Sequence, residues 1–452
     1  MTATEDPSAD DAGDTRLSVL LLADDCNPEW PSLPIVGYKY ALALSRVANI
    51  TVATHVRNRE NIEIADAKGI EFVYVDNEYV AAPMYRLSTR LRGGTNVAWS
   101  TNMIMQYLPY LAFEREVWKR FRNELRAGRF DLVQRITPMS PTLPSYIAGK
   151  VDQPFVLGPL NGNLPWPAAF RGEQKRERER LRALRKVARH LPYARGTFKN
   201  AALVLAGFEH TIAELRAAAP GKVVNFPEVG VDPDIFHARG RDKPAFGGQG
   251  PYRFIFAGRL VPYKLPEVAI RAFVAAGGGH AAGVDPRLAE HRLHIVGDGP
   301  EMPRLQEIVQ RHGLEQVVHF EGSKSQSELA AMMRDADGFI FPSIRELGAG
   351  VVIEAMACGM CPIVTDYGAP GHLAGRGRGH LAPLAPLDDL VASYRNMLIA
   401  SVEDPDDASA RAGAAQIYAQ QYYTWDQKAR ATLAYWDDIL TGNPLRDRGE
   451  FD

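Results

Sequence analysis

The segment FIFAGRLVPYK (254–264) reads as a buried strand ending at Ala257-Gly258, with two cations, Arg259 and Lys264, in the loop beyond it. In open α/β sheets the loops at the carboxyl ends of strands line the ligand crevice. Two cations beside a glycine there suit a diphosphate, although a solvated loop with two surface bases has the same composition. PSIRELGAGVVIEAMACG (342–359) places Glu346 ahead of the small-residue turn Leu347-Gly348-Ala349-Gly350, which opens the helical stretch VVIEAMA. A turn of this kind presents backbone N–H groups at the positive end of a helix dipole, a ready anion site. Glu346 stands at its mouth and Glu354 about one turn into the helix. A carboxylate repels phosphate and accepts from hydroxyls, so both acids suit a sugar or a ribose; the plainer reading makes Glu346 a cap and Glu354 an ordinary helix residue. VGDGPEMPRLQEIV (296–309) is a third strand, glycine turn and helix, and lacks the third glycine of a dinucleotide fingerprint. Cys358 and Cys361 form a C-x-x-C at the end of the helical stretch instead of its start, which favours buried small residues over redox or zinc chemistry.

These loops need sheets to hold them. LSVLLLA (17–23), ITVATHV (50–56), IEFVYV (70–75), DLVQRI (131–136), PFVLG (154–158) and AALVLA (201–206) are apolar runs of buried-strand length. Helical patterns such as YKYALALSRV, preceded by Gly37, alternate with them, the rhythm of a parallel sheet with crossover helices. A second series follows a Gly- and Pro-rich stretch: YRFIFAG (252–258), RLHIVG (292–297), QVVHF (316–320), GFIF (338–341) and CPIVT (361–365). The expected division is an acidic tail over 1–15, an N-terminal Rossmann-like domain over 16–236, a linker over 237–251 and a C-terminal Rossmann-like domain over 252–407. An aromatic-rich helical stretch over 408–452 then packs back.

Taken together, AGRLVPYK, HIVGDGPE, HFEGSKSQSEL, the spaced pair Glu346-LGAGVVI-Glu354 and the turn DYGAPGHL (366–373) resemble the donor domain of GT-B fold glycosyltransferases of the large retaining family 4, the glycosyl transferases group 1. The resemblance is strongest over 250–375 and continues more weakly through GPLNGN (158–163) and FPEVGVDPDIF (226–236). It implies two Rossmann-like domains facing across a cleft, a C-terminal helix crossing back to the N-terminal domain, and transfer of a sugar from a nucleotide-diphospho-sugar, UDP- or GDP-linked, to an acceptor hydroxyl with retention. By the same resemblance Arg259 and Lys264 bind the donor diphosphate, Glu346 contacts the sugar and Glu354 the ribose. Gly348, Ala349 and Gly350 offer backbone N–H groups, and Gly37 lies on a glycine loop approaching the donor from the N-terminal side. The implied catalytic set is Glu346, Arg259 and Lys264, with no cofactor and no metal, since cations and a helix dipole support the departing charge.

Three departures from the family pattern stand out. Gly348-Ala349-Gly350 replaces the usual Phe-Gly-Leu, and loss of the aromatic predicts a more open turn. His372 stands where an acid is usual. GPLNGN lacks the histidine that many relatives carry there, so no catalytic histidine is assigned, and Asn161 offers a hydrogen bond only. A non-catalytic nucleotide-sugar or membrane-binding module on the same fold is the alternative that these departures support.

The chain has 452 residues with 52 Lys plus Arg against 54 Asp plus Glu, a net charge of −2, which excludes a chain-wide field for nucleic acid. That total conceals residues 171–199, with eleven Lys or Arg against three Glu, including Arg178, Arg182, Arg185, Lys186 and Arg189. Leu181, Leu184, Ala188 and Leu191 form one helical stripe among them. Such a helix either lies on an anionic membrane surface, with Trp166 and Phe170 as anchors, or is solvated with its stripe packed on its own domain. Trp166, with Asn161, is also an acceptor-side candidate. VAWSTNMIMQYLPYLAFEREVWKRF (97–121) reads as a core-packed helix pair or as a groove for an apolar acceptor chain. Three cysteines, an N-terminus without the pattern of a signal peptide, and no apolar run of about 18 residues or more lead to the expectation of a cytoplasmic protein, peripheral at most on the inner face of the membrane.

Overall fold

The structure is a computed structural model that describes residues 16–92, 106–162, 164–176, 191–248, 250–277 and 290–446. Two wholly parallel sheets organise it. The first has the order β3-β2-β1-β4-β5-β6-β7, from β1 (Ser18–Ala23), β2 (Asn49–His55), β3 (Ile70–Val75), β4 (Leu132–Thr137), β5 (Phe155–Leu160), β6 (Ala201–Ala206) and β7 (Val223–Asn225). The second has the order β10-β9-β8-β11-β12-β13, from β8 (Arg253–Ala257), β9 (Arg292–Val296), β10 (Val318–Gly322), β11 (Gly338–Phe341), β12 (Cys361–Thr365) and β13 (His380–Ala382). Both series reverse direction beside their first strand, so each sheet has a switch point where the loops after neighbouring strands diverge and leave a crevice. The central strands are buried throughout because helices cover both faces: every residue of β4, β5, β11 and β12 is buried, the polar Gln134 and Arg135 of β4 included.

The three-residue edge strands β7 and β13 are additions to the strands read from sequence. The aromatic-rich end forms two helices, Pro405–Tyr422 and Trp425–Thr441, where the sequence suggested one stretch from about residue 408. The first stops at Tyr422, and Thr424 caps the second, its hydroxyl accepting from the Gln427 N–H at 3.3 Å. The two helices serve different domains. Pro405–Tyr422 packs on β12 and on the helix Gly350–Ala357. Trp425–Thr441 packs on the helix Leu33–Leu44, with Trp436 fully buried and donating from Nε1 to Gln134 Oε1 at 2.8 Å. Tyr40 and Thr432 share a hydroxyl hydrogen bond of 2.6 Å in the same core.

The chain passes from the first sheet to the second just after β7. Phe226 N–H donates to the Ala206 carbonyl at 2.7 Å, and Val231 N–H to the Tyr423 carbonyl at 2.7 Å. The outgoing segment 226–231 therefore runs beside the returning segment at Tyr423 to Trp425, and a parallel bridge joins Val231 to Thr424. Residues 237–248 pack against the second sheet: Ala245 and Phe246 are buried, and Asp337 accepts from the N–H groups of Phe246 and Arg253, both at 2.9 Å.

Candidate functional site

The loops after β8, β9 and β11 close on one another at the carboxyl edge of the second sheet. Gly258 (φ +147°) and Gly297 (φ +130°) lie so close that a Cβ on Gly297 would overlap the Gly258 carbonyl. Gly299 likewise has room for no more than a hydrogen, since its Cβ would stand 2.5 Å from the Leu260 oxygen. The loop after β8 is tied to that after β11 by Ile344 N–H donating to the Tyr263 carbonyl at 3.0 Å.

In this frame Lys264 and Glu346, far apart in sequence, form an ion pair, Nζ to Oε1 at 2.5 Å. Both side chains are mostly shielded, at 11% and 15% exposure, and the lysine Nζ lies 4.8 Å from the centre of the Phe341 ring. Ser343 Oγ also donates to Glu346 Oε1, at 3.2 Å. The backbone of Glu346 is fixed separately, its carbonyl accepting from Ala369 N–H at 3.2 Å in the glycine-rich turn after β12. Glu346 is therefore a partner of Lys264 and not a helix cap. Arg259 is exposed on the same rim, its guanidinium 3.3 Å from the Tyr263 hydroxyl. A cation held beside a carboxylate, with a second cation at the rim, can bind an anion next to a hydroxyl-bearing group.

The helix Gly350–Ala357 begins after Ala349, which adopts the left-handed conformation at φ +51°. Glu354 sits on its second turn, partly buried, and burial pushes its carboxyl up to about 7 while Lys39 pulls it back. Lys39 comes from the first domain: its Nζ donates to Gln326 Oε1 at 3.1 Å and lies 3.8 Å from Asp232. Cys358 and Cys361 are buried thiols, each pushed up to about 12 by burial, in keeping with the packing reading.

Gly37 lies inside the helix Leu33–Leu44, not in a loop before it, because the helix begins at Leu33, five residues ahead of the sequence pattern at Tyr38. It is buried where a Cβ would stand 2.5 Å from the Asp25 carbonyl oxygen, so it lets the helix rest on the loop after β1. That loop carries an acid pair the sequence reading passed over. Burial and the neighbouring Asp25 raise Asp24 to about 8, and burial raises Asp25 as well. Two acids directly after a buried strand, LLLADD, were the signal available.

Asn161 is buried at the seam between the domains and donates from Nδ2 to Glu228, a residue that sequence reasoning did not single out. Glu228 is 5% exposed, and burial raises its carboxyl against the opposing effects of Asn161 and Lys428. The turn after Glu346 is not opened by the missing aromatic. A Cβ on Gly348 would overlap Glu228 Oε1 and stand 2.8 Å from a Val229 methyl, so these side chains already occupy the space.

Trp166 and Phe170 are not surface anchors. Both are buried in the core of the second domain, and the Arg345 guanidinium lies 5.3 Å from the Trp166 ring centre. Burial there satisfies their large apolar surface, which leaves none for a membrane. Of the basic helix, Arg171–Arg176 is helical; Arg178, Arg182, Arg185, Lys186 and Arg189 lie outside the described residues, as does the acidic tail 1–15. In the 97–121 segment Trp99, Met103 and Met105 also lie outside them. The helix Tyr107–Arg126 buries Tyr110, Phe113 and Val117 in the first domain's core, which is the core-packed reading. Among the described residues no helix is long and apolar enough to cross a membrane.

Comparison with known proteins bears on the fold and the family. Residues 241–410 match the family model described as Glycosyl transferases group 1. The D-inositol 3-phosphate glycosyltransferase of Streptomyces bingchenggensis is 30% identical over 194 residues, which cover 42% of this chain and 41% of that protein. The putative colanic acid biosynthesis glycosyltransferase WcaL of Salmonella typhimurium is 28% identical over 260 residues, covering 53% of this chain and 61% of that protein. The chain thus spans roughly two-fifths to three-fifths of these curated relatives. Among solved structures, sucrose-phosphate synthase from Thermosynechococcus elongatus superposes with a TM-score of 0.60 at 16% identity, over 95% of this chain and all of that one. Anabaena HepE in complex with UDP and glucose superposes with a TM-score of 0.56 at 17% identity, over 93% of this chain and all of that one. Residues 241–410 thus match the glycosyl transferases group 1 family, within a chain that has the GT-B fold.

Proposed function

We propose that the protein is a retaining, metal-independent glycosyltransferase that moves a sugar from a nucleotide-diphospho-sugar, UDP- or GDP-linked, to an acceptor hydroxyl. The observation that carries this reading is the shielded Lys264–Glu346 pair at the mouth of the helix Gly350–Ala357. The diphosphate lies against Lys264 and Arg259, within reach of N–H groups at the start of that helix. Displacing the carboxylate's cation onto the phosphate frees Glu346 to accept from sugar hydroxyls. Glu354, partly buried one turn on, accepts from the ribose. As the glycosidic bond breaks, negative charge grows on the diphosphate, and prearranged cations and N–H dipoles stabilise it more than they stabilise the ground state. With retention on the front face, the departing phosphate oxygen takes the acceptor's proton, which needs no protein base. The acceptor is a glycan or a lipid-linked glycan, brought to the cell membrane's inner face by the basic segment 171–199.

The test is donor hydrolysis and transfer, assayed by release of UDP or GDP, in Lys264→Ala and Glu346→Ala. Each variant should lose about 10²–10³-fold in kcat, the usual cost of one transition-state charge contact. Turnover at the wild-type rate in both would remove the assignment.

A further inference from the structure

Glu228 is the acid for which the site described above gives no use. It lies on the segment that joins the two domains, and its surroundings are fixed on every side. Phe226 N–H is bonded to Ala206, and the Lys428 ammonium donates to the Pro227 carbonyl. Val231, three residues on, is held through its N–H by Tyr423. Asn161, whose own N–H donates to the Met139 carbonyl at 2.7 Å, donates from its side chain to Glu228 Oε1. The carboxyl group is thus a rigid post carried by the hinge.

The post meets the donor side at one point. The Glu228 Oε1 atom abuts Gly348 so closely that no side chain fits there, and the Val229 methyl lies 3.7 Å from where a Cβ on Gly350 would stand. The other oxygen, Oε2, is buried with no hydrogen-bond partner among the described residues, and a Cβ on Gly207 would stand 3.1 Å from it. A buried carboxyl with one oxygen unsatisfied costs stability that an apolar side chain of similar size would not. What an apolar group could not supply is the hydrogen bond to Asn161, which fixes where the end of the side chain stands.

We propose that Glu228 is a positioning residue for the donor: braced by Asn161, its carboxyl fills the space beside Gly348 and sets where the 346–350 turn lies relative to the first sheet. The proposal rests on the reading of that turn as the donor site. It explains why the turn carries glycine at 348, since any larger residue would push the turn away from the hinge. It also gives Asn161 a role through Glu228 and not through the acceptor.

The experiment is a double-mutant cycle on Glu228 and Gly348, read as the calorimetric Kd for UDP and GDP and as Tm. Glu228→Ala should weaken binding about tenfold, and Glu228→Gln, which keeps the shape and an oxygen for Asn161, should stay within about threefold of wild type. Gly348→Ala should weaken binding by about tenfold or more in the wild-type background. In the Glu228→Ala background it should cost only a few-fold, because the overlap is gone and only the Val229 methyl must turn. If Glu228→Ala does not fold, Glu228→Asp, which withdraws the carboxyl by one methylene, carries the cycle. Additive effects in both Kd and Tm, or a folded Glu228→Ala that binds like wild type, would overturn the proposal. A wild-type protein that binds neither nucleotide defeats the glycosyltransferase reading instead, and the Tm cycle then still decides whether Glu228 sets the turn.

Discussion

The carboxyl edges of the two sheets carry different chemistry. The edge of the second sheet carries Lys264 paired with Glu346, Arg259 on the rim, and glycine loops packed carbonyl against Cα. The edge of the first sheet carries Asp24 and Asp25, both raised by burial. Arg135, which acts to lower Asp24, is fully buried and donates to the carbonyl of Leu143 at 2.6 Å. One edge thus offers cations, and the other offers acids that burial holds toward their neutral form. The same strand order serves both, so the difference lies in loops and not in topology. The family match, over 241–410, takes in the loops after β8, β9 and β11.

Several changes can break or sharpen this contrast. The largest effect belongs to Trp436→Ala, which empties a fully buried site in the first domain's core and leaves Gln134 without its partner. It should cost about 3–5 kcal/mol in denaturant unfolding. UDP affinity of the folded variant should stay near wild type; an equal loss of affinity would mean that the two edges are not separable.

Glu354 gives a smaller, pH-dependent effect. Its folded-state carboxyl stands near 7, above the ordinary carboxylate value. Between the two values the folded state holds a proton that the unfolded state lacks, so this group's contribution to stability falls as pH rises through that window. Hydroxyls of a bound ribose donate to the ionised form. Nucleotide affinity should therefore weaken by up to about tenfold from pH 8 to pH 6, beyond what the ligand's own titration causes. Glu354→Gln should flatten that excess, and an unchanged pH profile in the variant would remove Glu354 from the ribose. The smallest effect is Tyr40→Phe, which removes the hydrogen bond to Thr432 and should cost about 1 kcal/mol of stability with no change in nucleotide affinity.

Much of the second edge was legible in the sequence because its pieces are local. Arg259, Lys264 and Glu346 lie in the loops that follow strands, Glu354 lies in the helix beyond, and the adjacency of β8 and β11 brings Lys264 onto Glu346. Strands of five or six apolar residues announced themselves, whereas β7 and β13, three residues each at sheet edges, are too short to show a pattern. The break at Thr424 had a signal in Thr-Trp-Asp-Gln, a capping residue followed three places later by Gln, which the continuous aromatic pattern masked. Trp166 and Phe170 read as anchors because a sequence does not show which neighbour covers an aromatic; here the second domain does. Glu228 was illegible for a stronger reason. Its meaning depends on Gly348, 120 positions away and on the other domain, and only the register of the two domains brings them together.

The contrast between the edges is tested most directly by hydrogen–deuterium exchange with and without saturating UDP or GDP. Binding to the folded state slows opening where the ligand sits. The account predicts slowed exchange concentrated in 258–264 and 343–354, with little change over 24–27 after β1. Protection centred on 24–27, with 343–354 unaffected, would contradict it.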